Sequence, residues 1–279
     1  MPSRMSSKKL RGIVKNTLDP ALKRRAVWIV KKVNPKNGER ILDIGCGDGY
    51  YLHLISALGV DVVLAGVDKD KKALRSAKKN LEGRKVELRY GDLMKKIPYR
   101  VNSFDKVIMS EVLEHLPDDA RGLREVRRVL RKNGLLVISV PNANYPFLWD
   151  PVNWVLEKFF GRHVKSGFWA GIWNQHERLY KRSGLVKLVS ANGFNVIDSR
   201  SITYWSLPFH HYIVNLGARV LSKNKTIPIA TGADKFSKIQ NRSLVVSVYT
   251  ALSDFMDKFN SGRDYKSGVS LVLLAKNRK

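Results

Sequence analysis

Three acidic side chains close three apolar runs, and the first run continues into glycines at alternate positions. Ile41-Leu42-Asp43-Ile44-Gly45-Cys46-Gly47-Asp48-Gly49 reads as a buried strand followed by a sharp turn, in which glycine admits both the tight backbone and a closely approaching ligand. Val62–Val67 is a second apolar run, ending at Asp68, 25 residues after Asp43. An acid about 20 residues beyond such a loop, on the next strand end, suits hydrogen bonding to both hydroxyls of a ribose. Val86–Tyr90 runs into Gly91-Asp92, where a carboxylate can accept from an adenine amino group. A dinucleotide fingerprint would place its third glycine three residues after the second, which here falls on Tyr50, so that reading is poor.

A second group of reactive types follows the fourth apolar run, Phe104–Ser110. Glu111, Glu114 and His115 stand at i, i+3 and i+4, which on a helix would gather them on one face. Two carboxylates and an imidazole there could hold a divalent cation, and Glu111 or His115 could take a proton from a hydroxyl. His176, in Asn174-Gln175-His176-Glu177-Arg178, is a further candidate base as well as a helix start. Cys46 is read as a small packing residue of the glycine loop, and His210-His211 as a surface or lid pair.

The elements that must position these groups alternate along the chain. Asp19-Pro20 starts a helix, with Asp as the cap and Pro at the first position, and Leu22, Ala26, Ile29, Val30 and Val33 recur at helical spacing. Helices are expected over 50–58, 71–81 and 118–132 between the apolar strands. Such alternation implies parallel βαβ units, with ligands beyond the carboxyl ends of the strands. Gly134–Asn142 supplies a fifth strand, and 194–203 and 267–276 a closing sixth and seventh. The expected fold is an α/β, doubly wound, Rossmann-like sheet of seven mostly parallel strands with an antiparallel last strand, plus helical insertions. Residues 1–17 are expected to be a flexible basic arm and 18–279 a single domain. One insert, 145–175, holds nine aromatics, including Trp149, Trp154, Trp169 and Trp173. Core packing, a lid over an acceptor pocket and a membrane-interface element are three readings of it. A second insert, 204–266, is expected to carry helices near 216–221 and 244–259 around a basic stretch, packing on the core, in a dimer face or on a membrane.

The run 41–142 resembles the class I S-adenosylmethionine-dependent methyltransferases. Its Glu111–Asp118 segment EVLEHLPD and its Gly134–Asn142 segment GLLVISVPN are most similar to those of the ubiquinone-biosynthesis O-methyltransferases. The resemblance implies S-adenosylmethionine as cofactor. It implies Asp43 at the methionine ammonium, Gly45, Gly47 and Gly49 against methionine and ribose, Asp68 on the ribose, and Asp92 and Leu93 at the adenine. It also implies a possible metal on Glu111, Glu114 and His115, which many relatives lack.

Bulk properties bound the partners. The 51 Lys and Arg against 24 Asp and Glu give a net charge of +27, densest over residues 1–40 with 12 basic and 2 acidic residues. That field attracts anionic membrane surfaces or RNA, unless it is a composition bias. The six basic residues of 118–133 make helical basic faces that are read as solvated, with phosphate contact as the alternative. One cysteine excludes an intrachain disulfide and fits a reducing cytoplasm. The N-terminus lacks an apolar signal core and no run of 18 apolar residues occurs, so a cytoplasmic protein is expected, with peripheral membrane association open. The expected acceptor is an apolar or lipid-linked small molecule, methylated on oxygen. An RNA methyltransferase and a non-catalytic cofactor-binding sensor or scaffold are the alternatives, and a homodimer is possible.

Overall fold

The computed structural model describes all residues except 1–3, 18, 208, 210–211, 213–234, 237–243 and 261–263. Seven strands form one sheet: β1 (Arg40–Ile44), β2 (Val63–Asp68), β3 (Val86–Tyr90), β4 (Phe104–Ser110), β5 (Leu130–Pro141), β6 (Phe194–Ile202) and β7 (Ser270–Asn277). Their spatial order is β3-β2-β1-β4-β5-β7-β6. The pairs β1/β2, β1/β4, β2/β3 and β4/β5 are parallel, and β7 runs antiparallel to both β5 and β6. The chain order therefore reverses direction between β1 and β4, which opens a crevice above the carboxyl ends of those strands.

Helices cover both faces. On one face lie α1 (Arg4–Ile13), α2 (Pro20–Val33), α3 (Tyr50–Ala57) and α4 (Lys71–Asn80), packed through Ile29, Val33, Leu54 and Ala77. On the other lie α5 (Asp119–Val129) and α7 (Arg182–Ala191), packed through Leu123, Val126, Leu185 and Val189. Burial on both sides explains why β1 and β4 read as continuous apolar runs. The predicted cap is realised: Asp19 accepts from the backbone of Ala21 and Leu22, with Pro20 opening α2.

Three expectations change. Of the expected flexible arm 1–17, the described residues 4–17 are folded; α1 and a short 3₁₀ turn, Val14–Asn16, carry Leu10 and Val14 into the core at 2% and 1% exposure. Leu10, Ile13 and Val14 share one helical stripe that the surrounding basic residues obscure in sequence. Helix α5 ends at Val129 rather than Lys132, and β5 starts directly at Leu130. The segment after β4 forms only one 3₁₀ turn, Leu113–His115. The expected helix near 216–221, the basic stretch 223–242 apart from Lys235 and Phe236, and the pair His210-His211 lie outside the described residues. The helix expected over 244–259 is present as α8 (Leu244–Lys258).

The aromatic insert packs only in part as core, and Phe147 is 46% exposed. Tyr145, Trp149 and Ile172 are buried together with Val269, and Trp154 and Trp173 lie against them. Its helix α6 (Pro151–Phe160) is capped by Asp150, a fully buried carboxylate. Asp150 accepts from the Asn153 backbone and amide, from Ile172 N and, at 2.6 Å, from the Tyr212 hydroxyl. Phe159, Phe160 and Trp169 remain exposed. Among the described residues no helix is long and apolar enough to cross a membrane.

Candidate functional site

A cavity of about 460 Å³ opens above the carboxyl ends of β1, β2 and β4. That lies within the roughly 300–1,000 Å³ usual for small-molecule sites. The cavity is lined by Ile44, Gly45, Val67, Asp68, Asp92 and Leu93 from the first strand ends, and by Glu111, Val112, His115, Gln175 and Glu177 from the later segments. Each strand end delivers its residue because parallel registry aligns Asp43 with Gly66 and Ile44 with Val67, leaving Asp68 one step beyond.

The glycine loop is held by its backbone. Gly45 N and Cys46 N both donate to Val67 O, and Gly49, at φ +87, starts α3. Gly47, at φ +54, is the position at which an added Cβ would meet only open space, so the backbone there is accessible to a ligand. Gly49 differs: a Cβ would stand 2.7 Å from Leu81, so this glycine serves close packing. The buried Cys46 thiol is pushed up by burial and by Asp43, which keeps it un-ionised.

Asp68 Oδ2 accepts from Gly47 N and Oδ1 from Asp70 N, both at 2.8 Å. An ionised carboxylate has about four acceptor sites, so two remain for ligand hydroxyls. Asp92 Oδ1 is tied to Met94 N, and Leu93, 6% exposed, supplies an apolar wall beside it. Asp43 is 1% exposed, and its Oδ2 has no hydrogen-bond partner among the described residues. Burial, then the charges of Asp68 and Asp48, raise its carboxyl well above the usual range. An orphaned buried carboxyl beneath an open glycine loop fits a ligand cation, and with Asp68 and Asp92 the set fits the parts of S-adenosylmethionine. Asp43, Gly47 and Gly49 stand around this cavity rather than in its lining.

The sequence places Glu111 with Glu114 and His115, and the structure separates it. Glu111 takes a left-handed backbone, φ +55, which ends any helical continuity. Its Oε1 accepts from Ser139 Oγ at 2.9 Å and its Oε2 lies 3.2 Å from Arg25 Nη1. Ser139 continues to Ser110 and Ser110 to Tyr51. Arg25 and Ser139 are site residues that sequence reasoning missed. Arg25 shares a helical stripe with Leu22 and Ile29, a phase that places it inward.

His176 takes the place expected of Glu111. Glu114, His115 and His176 bring one ligand atom each within 4.8 Å of one another. His115 Nδ1 meets Gln175 O at 2.9 Å and His176 Nδ1 meets Ile172 O at 2.5 Å. If each Nδ1 donates, both Nε2 lone pairs face Glu114 Oε1, at 3.8 and 4.0 Å. Glu114 is fully buried, both its oxygens lack hydrogen bonds among the described residues, and burial followed by Glu111 raises its carboxyl well above the usual range. Two oriented imidazoles and a carboxylate are a donor set suited to a borderline divalent cation.

A model of a methyltransferase domain matches residues 42–138. Over 122 residues the chain is 34% identical to the ubiquinone biosynthesis O-methyltransferase of Aeromonas salmonicida, covering 43% of this chain and 50% of that one. Over 207 residues it is 27% identical to the demethylmenaquinone methyltransferase of Desulfitobacterium hafniense, covering 72% of each. The chain spans about half the length or less of the first curated relatives it matches, 42% for a protein of Mycobacterium tuberculosis and 50% for the Aeromonas enzyme. Among solved structures, the [4+2]-cyclase SpnF aligns with a TM-score of 0.57 at 18% identity, over 91% of this chain and 80% of that one. A phosphoethanolamine N-methyltransferase of Haemonchus contortus in complex with S-adenosylmethionine aligns at 0.56 and 18%, over 92% and 53%. These two likenesses concern the fold alone.

Proposed function

Because the segment 42–138 makes this chain a member of the class I S-adenosylmethionine-dependent methyltransferase superfamily, we propose that it transfers a methyl group to an oxygen of an apolar or lipid-linked small molecule. The observation that carries this reading is one cavity lined by Asp68, Asp92, Glu111 and His115 together. Candidate donor-holding carboxylates and proton-accepting groups thus line a single space.

S-adenosylmethionine, when bound, supplies a methyl group already activated on a sulfonium. The remaining work is orientation, exclusion of water and removal of a proton. Asp68 holds ribose hydroxyls through the acceptor sites its backbone partners leave, and Asp92 faces the adenine amino group beside Leu93. Asp43 accepts the ammonium, whose charge favours its ionised form and offsets the burial that otherwise keeps it protonated. His115 is the candidate base, steadied by Gln175 O. Glu111 is engaged by Arg25 and Ser139, which suits it to receive an acceptor hydroxyl rather than to swing. The aromatic insert leads into Gln175 and Glu177, which line the cavity.

Calorimetric titration of the purified protein with S-adenosylmethionine and S-adenosylhomocysteine, followed by label transfer from methyl-labelled donor into lipid extracts, tests the proposal. Binding of both ligands with label in an organic-soluble product supports it. Absence of binding refutes it, and binding without label in any extract would leave a sensor or scaffold as the better reading.

A further inference from the structure

A second cavity, of about 510 Å³, lies between α1, α2, the end of β6 and α8. Its lining carries six cationic side chains, Arg11, Lys15, Lys23, Arg24, Lys31 and Arg200, against the single carboxylate of Asp257. Three of the cations are committed to the fold. Lys23 Nζ lies 2.6 Å from Asp254, Arg24 Nε 2.7 Å from Asp257, and Arg200 Nε 3.1 Å from Asp198. Arg11 and Lys31 meet no carboxylate among the described residues. A concave wall with this excess of one sign repels itself and concentrates anions.

Thr203, also in the lining, is the second observation. It is 1% exposed, and its Oγ1 has no hydrogen-bond partner among the described residues. A buried unpaired hydroxyl is destabilising unless something meets it. Its backbone also sits at φ +63, an outlier for a β-branched residue. Val269 N donates to its carbonyl at 2.9 Å and keeps it there. Strain and an unmet polar group on one residue, turned to a basic cavity, mark a ligand position more than a packing position.

We infer that this cavity binds a phosphate or diphosphate group. Arg11 and Lys31 supply charge-assisted hydrogen bonds and Thr203 donates its hydroxyl. Trp28 lines the cavity as an apolar wall. The group arrives either on a soluble molecule or on a lipid. Leu252, Phe255 and Phe259, exposed on and just after α8, the helix that carries Asp257, offer an apolar surface to a lipid chain. Since β5 and β6 are both antiparallel to β7, Thr203 sits at the same end of the sheet as Asp43 and Asp68. Neighbouring residues of α2 serve the two cavities, Arg24 this one and Arg25 the Glu111 side of the other.

The test uses the full chain without methyl donor, so it fails or holds separately from the methyltransferase reading. Inorganic diphosphate is titrated calorimetrically at low salt, and flotation is run with phosphatidylcholine vesicles with and without phosphatidylglycerol. The variants are the double Arg11→Gln/Lys31→Gln and Thr203→Val, which keeps the β-branched shape. Diphosphate should bind the wild type and weaken about tenfold or more in the double variant. Thr203→Val should also weaken binding while melting no earlier than wild type, because it removes an unpaired polar group. Vesicle capture that requires phosphatidylglycerol and is displaced by diphosphate assigns the phosphate to a lipid, and binding without capture assigns it to a soluble molecule. If neither diphosphate nor anionic vesicles bind the wild type, or if the double variant binds as tightly, the inference is wrong.

Discussion

Replacing Asp68 with alanine isolates the ribose contact. In the folded chain this carboxylate lines the cavity and already accepts from Gly47 N and Asp70 N at 2.8 Å each, so two acceptor sites remain. A hydrogen bond to a charged group is worth about 1.5–3 kcal/mol, so two ribose hydroxyls account for at least roughly 3 kcal/mol. At about 1.4 kcal/mol per decade, Asp68→Ala should weaken S-adenosylhomocysteine binding by roughly 100-fold or more. The loss alone is ambiguous, because the variant also releases Gly47 and can relax the loop. The 2′-deoxy and 3′-deoxy forms of the ligand separate the two effects. Each should bind the wild type roughly tenfold or more weakly than the parent, and should bind the alanine variant about as well as the parent does. Calorimetry measures all six affinities, with circular dichroism of both proteins as a check on folding. If the deoxy ligands lose as much affinity in the variant as in the wild type, Asp68 is not the ribose partner.

Two further outcomes follow from the buried carboxyls. Burial and the charges of Asp68 and Asp48 raise the Asp43 carboxyl well above the usual carboxylate range, so a bound ammonium, which favours the ionised form, should draw off its proton at pH values between the two. The calorimetric enthalpy for S-adenosylhomocysteine should therefore vary with buffer ionisation enthalpy near neutral pH. Methylthioadenosine, which has no ammonium, should show no such variation, nor should Asp43→Asn, and equal proton release in all three would contradict the placement. At the Glu114–His115–His176 cluster, titration with Co²⁺ should give a visible ligand-field band that is lost in His176→Ala and kept in Glu111→Gln. The opposite pattern would restore the grouping read from the Glu-x-x-Glu-His spacing.

The strands and the three acids were legible in the sequence because both have local causes. A strand buried on two faces is a continuous apolar run, and the βα turn demands glycine within a few residues of it. The grouping of Glu111 with Glu114 and His115 was not legible, because it assumed a helical period where Glu111 adopts φ +55. That conformation follows from partners far along the chain, Arg25 and Ser139. His176 joins the cluster for a similar reason, since Glu177 N donates to Glu114 O across 63 positions. The burial of Leu10 and Val14 escaped notice because basic residues dominate the segment's composition while its apolar stripe is only a few residues long. The basic cavity is assembled from α1, α2, β6 and α8, which no linear motif joins.

The saturated carboxylate of Asp150 has a consequence for how this chain can change. Its oxygens hold the aromatic insert at Asn153 and Ile172 and reach Tyr212, which follows β6. Gly171 allows the approach, since a Cβ there would stand 1.8 Å from Asp150 Oδ2. The two insertions are thus joined at a common rivet outside the sheet. A recombinant that exchanges one insertion while keeping the other would strand a buried charge or a buried phenol. Change in these insertions is then constrained to pass through paired exchange of both segments, while the βαβ frame beneath them is free to stay as it is.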